Sequence, residues 1–173
     1  ETVLLAKRWG VDETTARRSA ILHDCTKYLR LEEQLDLCRR YGVELDELEQ
    51  RAVKLLHSKT GAAIARDVFG VDEEVYSAIR WHTTGRENMS PLECVIYFAD
   101  YIEDTRTFPA CVRLREYYEK QYASLKDKSR ALNKALVRSF DITIRDLLSE
   151  GKTVDPNTVS ARNHYLRSRK KGI

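Results

Sequence analysis

The chain has 173 residues, 42% of them hydrophobic and 33% charged, enough for one compact domain with a real core. Thirty Lys and Arg against 27 Asp and Glu leave a formal charge of +3, interspersed as on solvated helix faces and too mild to argue for a specific nucleic-acid partner. The four cysteines are scattered without a CxxC pair, and no apolar run is signal-like or long enough to span a bilayer, so a reduced, cytoplasmic protein without a membrane partner is expected.

Helical periodicity runs through the chain, and no alternating strand pattern of useful length interrupts it. Val3, Leu4, Ala6 and Trp9 make a short apolar face that stops at Gly10. Asp12 can cap a second helix that continues through Ala16 and Ala20 to His23. Leu31, Leu35 and Cys38 form a third face ending at Gly42, and a fourth segment, broken somewhere, runs from about Asp46 through Leu55, Leu56 and His57 to Val68. Gly61 and Ala62 allow close helix packing just after His57.

Asp72 caps a fifth helix in which Val75, Ala78, Ile79 and His82 follow one inward stripe. "SPLE", residues 90 to 93, combines a Ser cap, Pro at the first helical position and Glu completing a capping box. The helix it starts passes through Leu92, Val95, Ile96 and Ala99 to Asp100. Two more helices are predicted between about Val112 and Glu150, the second carrying Leu132, Ala135, Leu136, Phe140, Ile144 and Leu147. Asp155-Pro156-Asn157 is a turn leading into a short helix or loop, and "RSRKKGI" at the end reads as a solvated tail.

The expected fold is therefore all-α, a helical bundle. Glu1 is neither Met nor preceded by a cap, although an amphipathic pattern is already under way, so a truncated first helix is expected.

Chemistry concentrates on residues that should not face a core unaided. His23, His57 and His82, with Asp24 and Asp100, fall on inward positions of different predicted helices, where a buried charge is costly unless it is paired or coordinated. Each histidine taken singly reads as a core or surface residue satisfied by a backbone carbonyl; together they suggest a shared metal. Imidazole and carboxylate without thiolate suit Fe, Mn, Zn or Co and leave coordination positions open. His23 and Asp24 would grip one ion from the end of one helix. Cys25 reads as a buried, inert thiol and His164 as no ligand.

Beside these ligands "HTTGR", residues 82 to 86, offers the hydroxyls of Thr83 and Thr84, the flexible Gly85 and the guanidinium of Arg86. With Lys27 and Arg106 this is a set of groups suited to phosphate oxygens, and several cations near a metal point to a polyphosphate.

The order His23-Asp24, His57, His82 and Asp100 in "YFADYIED" resembles the HD superfamily of metal-dependent phosphohydrolases. "HTTGR", "FADYIE", "TRTFP" and "VSARNHYL" together resemble more closely the YqeK family, the bacterial symmetrical bis(5′-nucleosyl)-tetraphosphatases. The resemblance spans nearly the whole chain. It implies an HD helical bundle over residues 1–150, with residues 151–173 contributing to the nucleotide site, and a divalent metal, iron first, as one or two ions. It also implies hydrolysis of diadenosine tetraphosphate, a dinucleoside polyphosphate, to two ADP, with a homodimer left open.

By position, His23, Asp24 and Asp100 match the principal metal ligands, and His57 and His82 match groups for a second metal or the substrate phosphates. Catalysis then falls to Asp24, Asp100, His57 and His82. Nucleotide and phosphate binding falls to Lys27, Thr83, Thr84, Gly85, Arg86, Arg106, Thr158, Ala161, Arg162 and Asn163. Two rival expectations remain: an HD phosphohydrolase for another nucleotide, and an HD module that binds a nucleotide without cleaving it.

The family also carries a histidine on its first helix, and none precedes His23 here. An upstream segment supplying it is expected; a native gene whose translation starts at or just before Glu1 overturns that expectation.

Overall fold

The computed structural model describes residues 1–168, so the cationic end of "RSRKKGI" lies outside the described residues. Among them run α1 (Thr2–Trp9), α2 (Glu13–Leu22), α3 (Leu31–Tyr41), α4 (Val53–Phe69), α5 (Glu73–Trp81), α6 (Pro91–Ile102), α7 (Pro109–Ser124), α8 (Ser129–Ser149) and α9 (Pro156–Ser168). No strand occurs among the described residues, and no helix there is long and apolar enough to cross a membrane.

The architecture is built around α6. Its capping box forms as the sequence predicts: Ser90 Oγ accepts from Glu93 N at 3.2 Å, and Glu93 Oε2 accepts from Ser90 N at 2.6 Å. From Leu92 to Ala99 every residue is buried, because α1, α2, α5, α7 and α8 pack around this one helix. A helix apolar on all sides belongs at the centre of a bundle. Its fully buried acid, Glu93, is satisfied by its own cap, by Ser77 and by Arg86.

The helix boundaries follow the punctuation: α1, α2, α3 and α5 lie where the periodicity put them, and the break before α4 is a single 3₁₀ turn at Glu49–Arg51. The inner faces differ in detail. In α1, Leu5 is fully buried whereas Leu4 is 44% exposed, a rotation by one residue that brings Leu5, Ala6 and Trp9 to one side. In α3 the buried pair is Gln34 and Cys38, while Leu31 and Leu35 are only half-buried. Residues 156 to 168, left between helix and loop by the sequence, form a full helix because Ala161 and Tyr165, one turn apart, both reach the common core.

A buried ionic cluster holds the segment between α3 and α4. Lys59 Nζ donates to Glu49 Oε2 at 2.5 Å and to the Glu44 carbonyl at 2.7 Å, and Arg80 of α5 lies 3.6 Å from the other Glu49 oxygen. This pairing satisfies a buried lysine that would otherwise be expensive.

At the far side, Phe140 of α8 stacks on Tyr97 with ring centroids 4.7 Å apart and on Tyr165 at 6.3 Å. Its ring closes over Gly85, where a Cβ would stand 2.7 Å from two ring carbons and the backbone has φ +66°. Only glycine fits both demands. Phe140→Ala should cost about 3–5 kcal/mol in urea unfolding, because the ring has no substitute on any neighbouring helix; a loss under about 1 kcal/mol would contradict this packing.

Candidate metal centre

Three helices end at one place. His23 is the C-cap of α2, His82 is the C-cap of α5, and Asp100 sits in the last turn of α6. Helix C-termini carry partial negative charge, so their convergence favours a cation before any side chain is counted. His57 enters from the first turns of α4, and Asp24 follows His23 in a chain of consecutive turns.

The ligand atoms face one another. His23 Nε2 lies 3.3 Å from Asp24 Oδ2 and 3.8 Å from Asp100 Oδ1. Asp24 Oδ1 lies 3.3 Å from His57 Nε2 and 3.6 Å from His82 Nε2, and the two last nitrogens are 3.0 Å apart. His23, Asp24 and His82 offer ligand atoms that all fall within 4.8 Å of one another. All five residues expected from the sequence are thus brought together, with His82 in the tightest group and Asp100 beside it.

Second contacts orient the rings. His23 Nδ1 is 2.7 Å from the Ala20 carbonyl, and His82 Nδ1 is 2.7 Å from the Ile79 carbonyl. Each carbonyl takes the Nδ1 proton, leaving Nε2 as the nitrogen aimed at the centre.

The electrostatics show how strongly the centre calls for positive charge. Burial pulls the His23 imidazole down, but Asp100 and Asp24 outweigh it and lift it to about 10. Burial also opposes ionisation of Asp24, yet His23, His57, His82 and Lys27 hold its carboxyl far below the usual range. Asp100 is held at about 2, with burial overcome by His23 and Arg106. Burial lowers His82, and the neighbouring His23 and His57 add to it, so this ring stays neutral.

A divalent metal fits these residues. His23 Nε2 and Asp24 Oδ1 are buried without any hydrogen-bond partner, a condition that native interiors avoid and that coordination would relieve. The donors are nitrogen and oxygen, the set for Fe, Mn, Zn or Co. Cys25, expected to be buried, is exposed; its Sγ rests 3.9 Å from the Gly61 carbonyl.

The cations predicted for phosphate divide in two. Lys27 Nζ sits 2.5 Å from Asp24 Oδ2, and Arg106 pairs with Asp100, so both border the centre. Arg86 Nε instead donates to Glu93 at 3.0 Å, and Arg162 Nε to Asp141 at 2.9 Å with its Nη1 on Asn163 at 3.2 Å. Thr83 faces His82 Nε2 at 3.4 Å. Thr84 and Gly85 are buried under α9, where Thr158 Oγ1 donates to the Thr84 carbonyl at 3.0 Å and Ala161 lies against Gly85. Thr158 and Ala161 thus seat the turn that follows His82.

Sequence reasoning missed Arg115, whose Nε donates to the Ile102 carbonyl at 2.7 Å and whose Nη2 reaches Glu103 and Arg106 carbonyls. It closes the end of α6 and fixes the loop that carries Arg106. It also missed Gln34, although the 31, 34, 38 spacing puts that amide in the inner stripe of α3.

Residues 2–105, which include all five centre residues, match the HD domain family. A symmetrical bis(5′-nucleosyl)-tetraphosphatase of Halalkalibacterium halodurans is 36% identical, covering 96% of this chain and 83% of the relative. One of Bacillus subtilis with the same name is also 36% identical, over 92% and 80%. A crystal structure from Clostridium acetobutylicum, described as a predicted HD superfamily hydrolase involved in NAD metabolism, superimposes with TM-score 0.85 and 40% identity over 96% of this chain and 84% of that one.

Asp100→Ala should strip most of the bound metal from the purified protein and abolish turnover with it. Metal content by mass spectrometry and activity that both match the unmodified protein would remove Asp100 from the centre.

Proposed function

Since the chain belongs to the HD-domain family and, within it, to the symmetrical bis(5′-nucleosyl)-tetraphosphatases, we propose that it hydrolyses diadenosine tetraphosphate at the middle phosphoanhydride to give two ADP. The reading rests on one observation: two half-buried carboxylates and three imidazoles converge with two orphaned ligand atoms, and two cations border them.

His23, Asp24 and Asp100 hold the principal metal in this reading, iron first and Mn, Co or Zn as substitutes. His57 and His82 serve a second ion or the scissile phosphate. A divalent cation bound there supplies Lewis acidity toward a phosphoryl oxygen and lowers the pKa of water.

The chain's own groups do the rest. The Nδ1 bonds to the Ala20 and Ile79 carbonyls keep the Nε2 atoms of His23 and His82 turned toward the centre, so no reorientation of these rings is needed during reaction. His57, whose Nε2 lies between His82 and Asp24, is placed to donate a proton to the departing phosphate.

Lys27 and Arg106 now neutralise Asp24 and Asp100. With Asp24 and Asp100 serving a metal, Lys27 and Arg106 would be free to turn to phosphate oxygens, which bind charge-assisted donors strongly. Arg106, with the half-exposed Arg162 and Asn163 of α9, then holds one ADP half, the buried Thr158 and Ala161 seating the turn after His82, while residues 1–150 provide the centre.

Hydrolysis in oxygen-18 water followed by chromatography of the products is the test. Two ADP from each substrate are expected; AMP plus ATP would mean attack in another register. Arg106→Ala should lower kcat/KM by on the order of 100-fold, as loss of a preorganised charge-stabilising donor does. Arg167→Ala, a 65%-exposed side chain at 3.6 Å from Glu87, should change it by less than about twofold. Equal losses would misplace the phosphate site.

A further inference from the structure

Residues 23 to 30 leave α2 as successive turns, closed by Cys25 N to Leu22 O at 3.2 Å, Lys27 N to Asp24 O at 3.0 Å and Leu29 N to Thr26 O at 3.1 Å. Such a segment has little intrinsic rigidity, yet it carries Asp24, the carboxylate at the middle of the centre. Within it only Thr26 is buried, at 1% exposure.

We propose that Thr26 is a positioning residue for the metal centre: its hydroxyl, donating to the His57 carbonyl, and its own carbonyl, accepting from Gln34, lock Asp24 in register with His57 over Gly61. The proposal rests on the metal reading of the site and is independent of which phosphoanhydride is cleaved.

Every anchor of the turn passes through this residue or its immediate neighbours. Thr26 Oγ1 donates to the carbonyl of His57 itself at 2.9 Å and lies 2.8 Å from Thr60 Oγ1. Thr60 donates to Gln34 Oε1 at 2.6 Å, and the Gln34 amide returns to the Thr26 carbonyl at 3.0 Å. The loop of bonds therefore runs from the turn to α4, on to α3 and back to the turn. Thr26, Thr60 and Gln34 are all 0–1% exposed, so no water competes for these bonds.

The network couples two ligands that belong to different helices. His57 is gripped through its own carbonyl, and Asp24 is two residues from the hydroxyl that grips it. A slip of the turn along α4 would open the 3.3 Å approach of Asp24 to His57 Nε2.

Gly61 supplies the second half of the device. A Cβ there would meet the His23 carbonyl at 3.3 Å, Thr26 Oγ1 at 3.5 Å and Cys25 Sγ at 3.6 Å. The bare backbone lets residues 23 to 26 settle on α4, and the hydroxyl network then fixes where. Glycine inside a helix lowers its propensity, which the close approach explains.

Cobalt(II) affinity of the full chain, measured by competition with a fluorescent chelator, provides the test. Thr26→Val keeps the volume and deletes the hydroxyl; it should weaken cobalt binding by about 10-fold or more, as loss of groups that orient metal ligands does, and lower kcat with little change in KM. Thr26→Ser should restore both. In the metal-free protein, Thr26→Val should speed hydrogen exchange at the Lys27 and Leu29 amides.

Gly61→Ala leaves every hydroxyl in place and favours the helix, yet should also weaken cobalt binding without lowering thermal stability, which a purely structural role would not produce. It carries the test if Thr26→Val fails to fold. Ser139→Ala removes a buried hydroxyl of α8 whose bond goes to Leu136 O at 2.8 Å, and should leave cobalt affinity unchanged.

Undiminished cobalt affinity in Thr26→Val and Gly61→Ala, failure of Thr26→Ser to rescue, or an equal loss in Ser139→Ala would each overturn the positioning role. An unmodified chain that binds no cobalt defeats the metal reading itself, and the positioning role with it.

Discussion

Negative charge gathered inside a helical bundle is the constraint on which the molecule depends. Two carboxylates and the C-terminal ends of α2, α5 and α6 meet where water is only partly admitted, and nothing apolar can balance them. The bundle answers with imidazoles, with Lys27 and Arg106 at the border, and with an electrostatic well that keeps His23 charged far above its ordinary range. A divalent cation satisfies the same demand with fewer groups.

The core makes this charge tolerable because it is stiff. α6 is wrapped on every side, so Asp100 leaves the bundle from a helix with no freedom to slide. His82 is held from two directions: its Nδ1 rests on the preceding turn, and the turn after it is pressed between Phe140 and α9. The last helix is thus more than a covering element. By bonding the Thr84 carbonyl it connects the segment expected to hold nucleotide with a residue of the centre.

Lys27 and Arg106 show how one pair of groups can serve two states. Without a metal they offset the acids; with one they are surplus charge beside the place a polyphosphate would occupy. Ion pairs at this half-buried depth are weakly favourable on their own, and therefore exchangeable. The Glu49, Lys59 and Arg80 cluster is of another kind, sealed under the segment joining α3 to α4 and committed to structure.

The sequence by itself determined the helices and the identity of the central residues, because helix caps and apolar stripes act locally and because inward histidines and acids stand out against an apolar face. Ser90 and Glu93 announce α6 from adjacent positions, and His23-Asp24 reads as a pair at a helix end. It also carried enough specific motifs to name the family. Only the tertiary structure decided which cations face the centre: Lys27 and Arg106 find its acids, whereas Arg86 and Arg162 are taken by Glu93 and Asp141, partners contributed by other elements. The rotation of α1 onto Leu5, the partners of the Gln34 amide and the bond from Thr26 to the His57 carbonyl were hidden for the same reason. Each depends on what stands opposite in space, and a side chain's partner across a bundle leaves no mark on the residues next to it in the chain.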